Sequence, residues 1–199
     1  MLHKSVARIA LLSGALALGG CSVGSLFKAE ESKTYDLGAP TNVGKVSRSG
    51  AQVSVPEPSA LRWLDSDRLV VKPNDAEINY FGEVQWSDRL PRLVQARLIE
   101  TLERSGGFRS VAKPGSGIDP DYELLADIRH FEILAGEQPK VQISISVKMV
   151  PTKSGRTIKQ RLFEITAPAA ATDATSASVA LNNALGEVLK DIAVWAARR

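Results

Sequence analysis

Apolar residues at every second position mark the strands of this chain. The clearest run is Val141–Met149, whose five apolar side chains alternate with Gln142, Ser144, Ser146 and Lys148. A period of two predicts a strand with one buried face and one solvated face. The same reasoning predicts further strands at Thr34–Leu37, Ala51–Val55, Arg68–Lys72, Glu77–Phe81, Phe108–Ala112 and Thr157–Thr166, and a long one that begins at Tyr122.

The strand that begins at Tyr122 changes its apolar face part-way along. Leu124 and Ile128 fall on one parity, whereas Phe131 and Ile133 fall on the other. One extra residue in a strand shifts the parity of everything after it. We therefore predict a β-bulge near His130.

A period of three to four residues marks two helices. The first is predicted at Ser87–Arg104, with Ser87 or Asp88 as its cap and Pro91 in the first turn, where the missing N–H costs little. The second is predicted at Asp173–Arg198, where apolar residues step by four and three along one stripe. A single helical turn is expected near Ala60–Leu64.

The order of these elements is strands, helix, strand, a three-strand meander and a closing helix. This order predicts an α+β fold, a mostly antiparallel sheet with two main helices packed on one face. Nothing in the sequence indicates an internal repeat, so residues 34–199 are predicted to be one domain, with Val141–Met149 central in the sheet.

The first 33 residues have a different character. Lys4 and Arg8 precede ten mostly apolar residues, Ile9–Leu18, a run too short to span a bilayer. The run ends at Gly19-Gly20-Cys21, which resembles a bacterial lipobox. The resemblance implies a signal peptide over residues 1–20, a diacylglycerol on the Cys21 thiol and a polar tether over residues 21–33; the alternative is a plain secretory signal with an incidental Cys.

Composition limits the chemistry open to the mature chain. Without Lys4 and Arg8, the 25 basic residues become 23 against 22 acidic ones, and they form no stripe. Nucleic acid is therefore disfavoured as a partner. One Cys and two His are too few for a disulfide framework or for most transition-metal cages, so no cofactor and no metal site are expected.

A search for catalytic residues finds weak candidates only. His130 is the one His outside the predicted signal peptide, and we interpret it as an edge or surface residue. Asp119 and Asp121 flank Pro120 and could form a cation site, but a solvated loop explains them better, since too few oxygen ligands lie nearby. No catalytic residue is predicted, and the chain is not expected to be an enzyme.

The three tryptophans are the best candidates for interaction. Trp195 lies on the apolar stripe of the closing helix and is expected in the core. Trp86 precedes a helix and is expected to pack back on it. Trp63 lies in an irregular stretch, so we predict it as the exposed contact with a partner.

Residues 80–108 contain a recognisable series of positions: Tyr80, Trp86, Leu93-Val94, Leu102-Glu103 and Ser105-Gly106-Gly107-Phe108. In this order they resemble the ABC-type transport auxiliary lipoprotein component family, the paraquat-inducible protein C-type lipoproteins. Further echoes lie at Tyr35-Asp36-Leu37, at Tyr122 to Glu132 and in the closing helix, so the likeness covers nearly all of the mature chain. The family's Pro after the Trp is shifted here to Pro91.

The resemblance implies a non-enzymatic accessory of an envelope-spanning system that transports lipids or other apolar molecules. Its partners would be a mammalian-cell-entry-type substrate-binding protein and an ABC or related permease, together with membrane lipid through the anchor, and a homo-oligomer is compatible. Ser22 after the Cys, by resemblance to the Gram-negative sorting rule, implies the periplasmic side of the outer membrane. Two alternatives are a periplasmic carrier or chaperone that binds an apolar ligand between helix and sheet, and an outer-membrane assembly factor.

Overall fold

The computed structural model describes residues 32–44 and 46–198. They belong to one compact unit, Glu31–Arg199, whereas the predicted signal peptide, Cys21 and all but the end of the tether lie outside the described residues. The described residues form strands β1 Lys33–Tyr35, β2 Gln52–Ser54, β3 Ser59–Ala60, β4 Val70–Asn74, β5 Glu77–Tyr80, β6 Val84–Trp86, β7 Ser110–Ala112, β8 Tyr122–Leu134, β9 Lys140–Pro151 and β10 Lys159–Pro168 and helices α1 Leu90–Ser105 and α2 Ala174–Ala197.

The predicted three-strand meander is confirmed. Strand β9 pairs antiparallel with β8 on one side and with β10 on the other, so it lies inside the sheet. The register of β8 against β9 shifts between Ile128 and His130, which is the bulge that the change of parity predicted. Because of it, Phe131 and Ile133 return to the buried face.

The prediction of a mostly antiparallel sheet is wrong: the sheet is mixed. The side of β8 away from β9 is lined in turn by β2, β3 and β4, and all three run parallel to β8. Strand β2 is also parallel to β7, and β1 pairs parallel with β6 in a separate two-stranded sheet. Side-chain alternation within a strand carries no information on the direction of its neighbour, which is why the sequence did not show this.

Both predicted helices exist, but the start of α1 differs from the prediction. Arg89 occupies the cap position without a side-chain hydrogen bond, so Ser87 and Asp88 do not cap the helix. The Ser87 hydroxyl bonds instead to Asp36 Oδ1 at 2.8 Å. Helix α2 begins at a conventional cap, in which Asp173 Oδ1 accepts from Ser176 N at 2.9 Å. The single helical turn predicted at Ala60–Leu64 is present one residue later, where Leu64 N and Asp65 N both donate to the Leu61 carbonyl, at 2.8 and 2.9 Å, while Ala60 belongs to β3.

One hydrophobic core joins these elements. Ile143 and Ile145 are 0% and 1% exposed, as the alternation of β9 predicted. The opposite face is not solvated throughout, contrary to the prediction: Ser144 and Ser146 are 1% and 4% exposed, because the longer side chains of Glu164 and Gln160 on β10 lie over and bond to these short hydroxyls. Helix α2 packs on β8, β9 and β10, and α1 packs on α2 and β7. The contact between the two helices agrees with the prediction that they share one face of the sheet.

Candidate interaction surface and cavity

His130 is held by a buried carboxylate. Its Nδ1 lies 2.7 Å from Glu132 Oε1, and the second Glu132 oxygen accepts from Phe131 N. Ser144 stands opposite His130 on β9, but its hydroxyl donates to Glu164 at 2.9 Å. Ser144 is therefore not arranged as a nucleophile activated by His130.

The two aspartates of the loop before β8 fasten that loop to β2. Asp121 Oδ2 accepts from Gln52 N, and the Asp119 carbonyl accepts from Gln52 Nε2, both at 2.9 Å. These bonds give a structural role to the Asp121 carboxylate and to the backbone carbonyl of Asp119. Within residues 32–44 and 46–198 no group of three His, Cys, Asp or Glu side chains is placed to hold a metal ion.

Trp63 lies at a surface groove of about 580 Å³ along the middle of β8. The Trp63 ring is half-buried, while Leu61 beside it is 65% exposed. The groove also takes in Ser59, Asp127 and His130. The structure thus places the predicted contact residue next to a more exposed apolar one that the sequence reasoning missed, since an isolated Leu in an irregular stretch carries no periodic pattern.

The groove continues onto the solvent face of the meander. Leu125, 36% exposed, shares a neighbouring pocket with Ser59, Asp127 and Arg129. Asp127 accepts from the Ser59 hydroxyl at 2.7 Å and pairs with the Arg129 guanidinium at 3.3 Å. We define the β3 surface as Ser59, Leu61, Trp63, Leu125, Asp127, Arg129 and His130. Its apolar centre and polar rim are typical of a protein interface.

Charged groups at the start of α1 position the segment that carries Leu61 and Trp63. The Arg89 guanidinium bridges Glu57, at 3.0 Å, and Asp65. The hydrogen bond that Arg89 donates to Asp65 is the main cause that raises the pKa of Arg89. Because Glu57 and Asp65 lie on either side of the Leu61–Trp63 stretch, one guanidinium ties both ends of the segment to the helix.

Asp36 anchors the chain just after β1. Its carboxylate accepts from Ser87 Oγ at 2.8 Å and from Arg97 at 2.9 Å. Burial opposes ionisation of Asp36, but hydrogen bonds from Ser87 and the Leu37 amide, together with the Arg97 charge, outweigh it and lower its pKa. Tyr35 Oη lies 2.7 Å from Thr175 Oγ1 at the start of α2. The start of the domain is therefore fixed to both helices.

A cavity of about 690 Å³ lies where the last turn of α2 meets the sheet. Its apolar wall includes Phe108, Tyr122, Met149 and Ile158. Lys159 on the wall donates from Nζ to the carbonyls of Trp195 and Ala196 at 3.0 and 3.2 Å and to that of Arg198, and burial lowers the Lys159 pKa. Sequence reasoning did not find this cavity, since its residues come from separate elements.

The other two tryptophans stabilise the core to different extents. Trp86 is 2% exposed and packs edge-on to Phe131, with ring centroids 6.0 Å apart. Trp195, predicted in the core, is half-buried at its edge, where its ring packs edge-on against Phe163 of β10 with centroids 5.6 Å apart. Lys159 Nζ lies 4.9 Å from its ring centroid.

The family model of the ABC-type transport auxiliary lipoprotein component matches residues 35–193. The chain belongs to this family. The match begins at Tyr35 in β1 and ends in α2, so the auxiliary lipoprotein component includes the β3 surface and most of the cavity wall.

Several known proteins are similar to this auxiliary component in sequence or in fold. A crystal structure of a protein from Xanthomonas campestris is 25% identical, with a TM-score of 0.75 over 82% of this chain and 93% of that one. A second solved structure, of an uncharacterized protein, is 16% identical with a TM-score of 0.67, covers 82% of this chain and 97% of its own, and shows the shared fold. An uncharacterized protein of Bradyrhizobium diazoefficiens is 31% identical over 163 residues, which are 81% of this chain but 44% of that relative. This chain thus spans less than half of that relative's length.

Neither α1 nor α2, the helices in the described part of the chain, is both long and apolar enough to cross a membrane. The family nevertheless implies a membrane-anchored bacterial protein.

Proposed function

We propose that this chain is a non-enzymatic outer-membrane lipoprotein that docks onto an envelope-spanning transport system for lipids or other apolar molecules. The observation that carries the proposal is the family match over residues 35–193, because the family is an auxiliary component of ABC-type transport. The partners are a mammalian-cell-entry-type substrate-binding protein and an ABC or related permease.

Attachment is proposed to occur through Cys21, which carries the lipid and faces the periplasm from the outer membrane. Multiple acyl chains give stable membrane binding, whereas one chain binds only marginally. Anchoring raises the local concentration of the domain at its partners, so a modest protein contact is sufficient. A homo-oligomer would add avidity to that contact.

The β3 surface is the proposed contact. Leu61 is 65% exposed beside the half-buried Trp63 ring, and an aromatic anchor within a polar rim is where binding energy concentrates in protein interfaces. The Arg89 bridge to Glu57 and Asp65 holds this segment in place before the partner arrives. Such preorganisation lowers the entropic cost of docking.

Affinity capture of the tagged full chain from envelope membranes, with partners identified by mass spectrometry, tests this proposal. Components of one transport system are expected with the unmodified chain. Leu61→Asp is expected to reduce their recovery at least about fivefold, since it places a charge at the apolar centre of the contact. Val179→Asp is the matched control, because Val179 is 55% exposed on α2. Recovery of no transport component, or equal recovery with both variants, would contradict the proposal.

A further inference from the structure

The cavity at the end of α2 has the properties of a small-molecule site. Its volume of about 690 Å³ lies within the range of roughly 300–1,000 Å³ found for ligand pockets. Phe108, Tyr122, Met149 and Ile158 form an apolar wall. Ile158 is 56% exposed, a large fraction for an isoleucine, and lies where the cavity opens.

The charges described on the cavity wall have one sign only. Lys159 and Arg198 are basic, and no Asp or Glu is found among the described residues that line the wall. The Lys159 ammonium is occupied by carbonyls of the last turn of α2, so it acts as part of the wall. Arg198 is exposed, so its side chain remains accessible to an anion at the surface.

We propose that this cavity binds a single acyl chain whose anionic head group lies at Arg198. The apolar wall accounts for the chain, and the basic charge accounts for the sign of the head group. A fatty acid and a single-chain phospholipid share this chemistry. The site is separate from the β3 surface, so the proposal does not depend on the docking proposed above.

Photolabelling of the purified full chain tests the site. Cys21→Ser removes the thiol that would carry the anchor, and the protein is handled without detergent, which would compete for the cavity. Two probes are added separately: palmitate with a diazirine on its chain, and palmitoyl-lysophosphatidylglycerol with the same diazirine. About one label per chain is expected, on peptides that contain Met149–Ile158 or the last turn of α2. If palmitate alone labels the protein, the ligand is a free fatty acid. If the lysolipid also labels it, the ligand is a membrane lipid.

Matched variants separate specific from general binding. Ile158→Asp is expected to reduce labelling at least about tenfold, because it places a carboxylate where the chain enters. Ile78→Asp is its control, since Ile78 is an exposed isoleucine of β5 outside the cavity. Arg198→Glu should also weaken labelling, with Arg156→Glu as control. Ile158→Trp, which narrows the opening without adding charge, should reduce labelling if Ile158→Asp fails to fold.

Three results would overturn the inference. They are substoichiometric labelling with both probes, labels confined to other peptides, and equal labelling of the Ile158 and Ile78 variants. None of them bears on the capture of transport components, which tests the docking proposal with a different surface. Failure of one proposal is therefore distinguishable from failure of the other.

Discussion

Replacing Ile143 by Ala tests the register of the central strand. Ile143 is 0% exposed and stands between Phe131 of β8 and Ile165 of β10. The change removes three carbons, worth about 0.8 kcal/mol each in transfer free energy, or roughly 2.4 kcal/mol. The cavity left between three strands adds to this, so the free energy of unfolding should fall by about 3–4 kcal/mol.

The measurement is urea unfolding followed by circular dichroism, with Lys148→Ala as control. Lys148 lies on the same strand but is exposed on the opposite face, so its removal should change the free energy of unfolding by less than about 0.5 kcal/mol. A loss below about 1 kcal/mol for Ile143→Ala, or equal losses for both variants, would refute the register and the assignment of the buried face.

Four further predictions concern other parts of the chain. Trp86→Ala should lower the free energy of unfolding by about 3–5 kcal/mol, because the ring is buried against Phe131; urea unfolding measures this, and a loss under about 1 kcal/mol would contradict it. Asp173→Ala should lower the urea midpoint at neutral pH. Hydrogen bonds from Ser176 lower the Asp173 pKa in the folded state below its ordinary value of 3.8, so the charged cap stabilises the fold at pH values above 3.8. This stabilisation is lost as the pH falls through the lowered pKa, so a difference in urea midpoint between variant and unmodified chain that persists in acid would argue against the prediction. Cys21→Ser should release the protein from membranes or leave it unprocessed. Recovery of the Ser variant as a mature protein in the outer-membrane fraction would contradict the proposal that Cys21 carries the lipid anchor. A variant with His130, Asp119 and Asp121 all replaced by Ala should fully complement the envelope-permeability defect of a strain that lacks this protein. Loss of function in a variant that folds and captures partners normally would indicate an active site.

Local pattern predicted the parts of the fold in which each residue's environment is set by its own strand or helix. The alternation in β9 identified the buried face, and the change of parity identified the bulge before His130. The apolar stripe located α2, which begins and ends within one residue of the predicted bounds. In these places burial imposes a period on the sequence.

Features that depend on distant partners were not predictable in this way. The parallel pairing of β2, β3 and β4 with β8 depends on the path of the chain, and β3 is only two residues long. Ser87 has the chemistry of a helix cap, but Asp36, 51 residues away, takes its hydroxyl. For the proposed contact, the sequence pattern pointed to Trp63, which stays a prediction. It indicated neither Leu61 beside it nor the cavity, which is assembled by separate elements and loops.

The three short strands along β8 have a consequence for the order in which the chain can fold. Their partners on β8 lie 62 to 69 residues further along the sequence. Pairing over such separations must overcome loop-closure entropy before it gains any contact, which slows folding. The meander of β8, β9 and β10 and the helix α2 are closer in sequence and can form earlier. Strand β4 can already pair with the adjacent β5. Strand β3 and the edges of β2 and β4 that face β8 have unpaired backbone groups until β8 is made, and during that interval we expect them to be exposed to misfolding and to capture by chaperones.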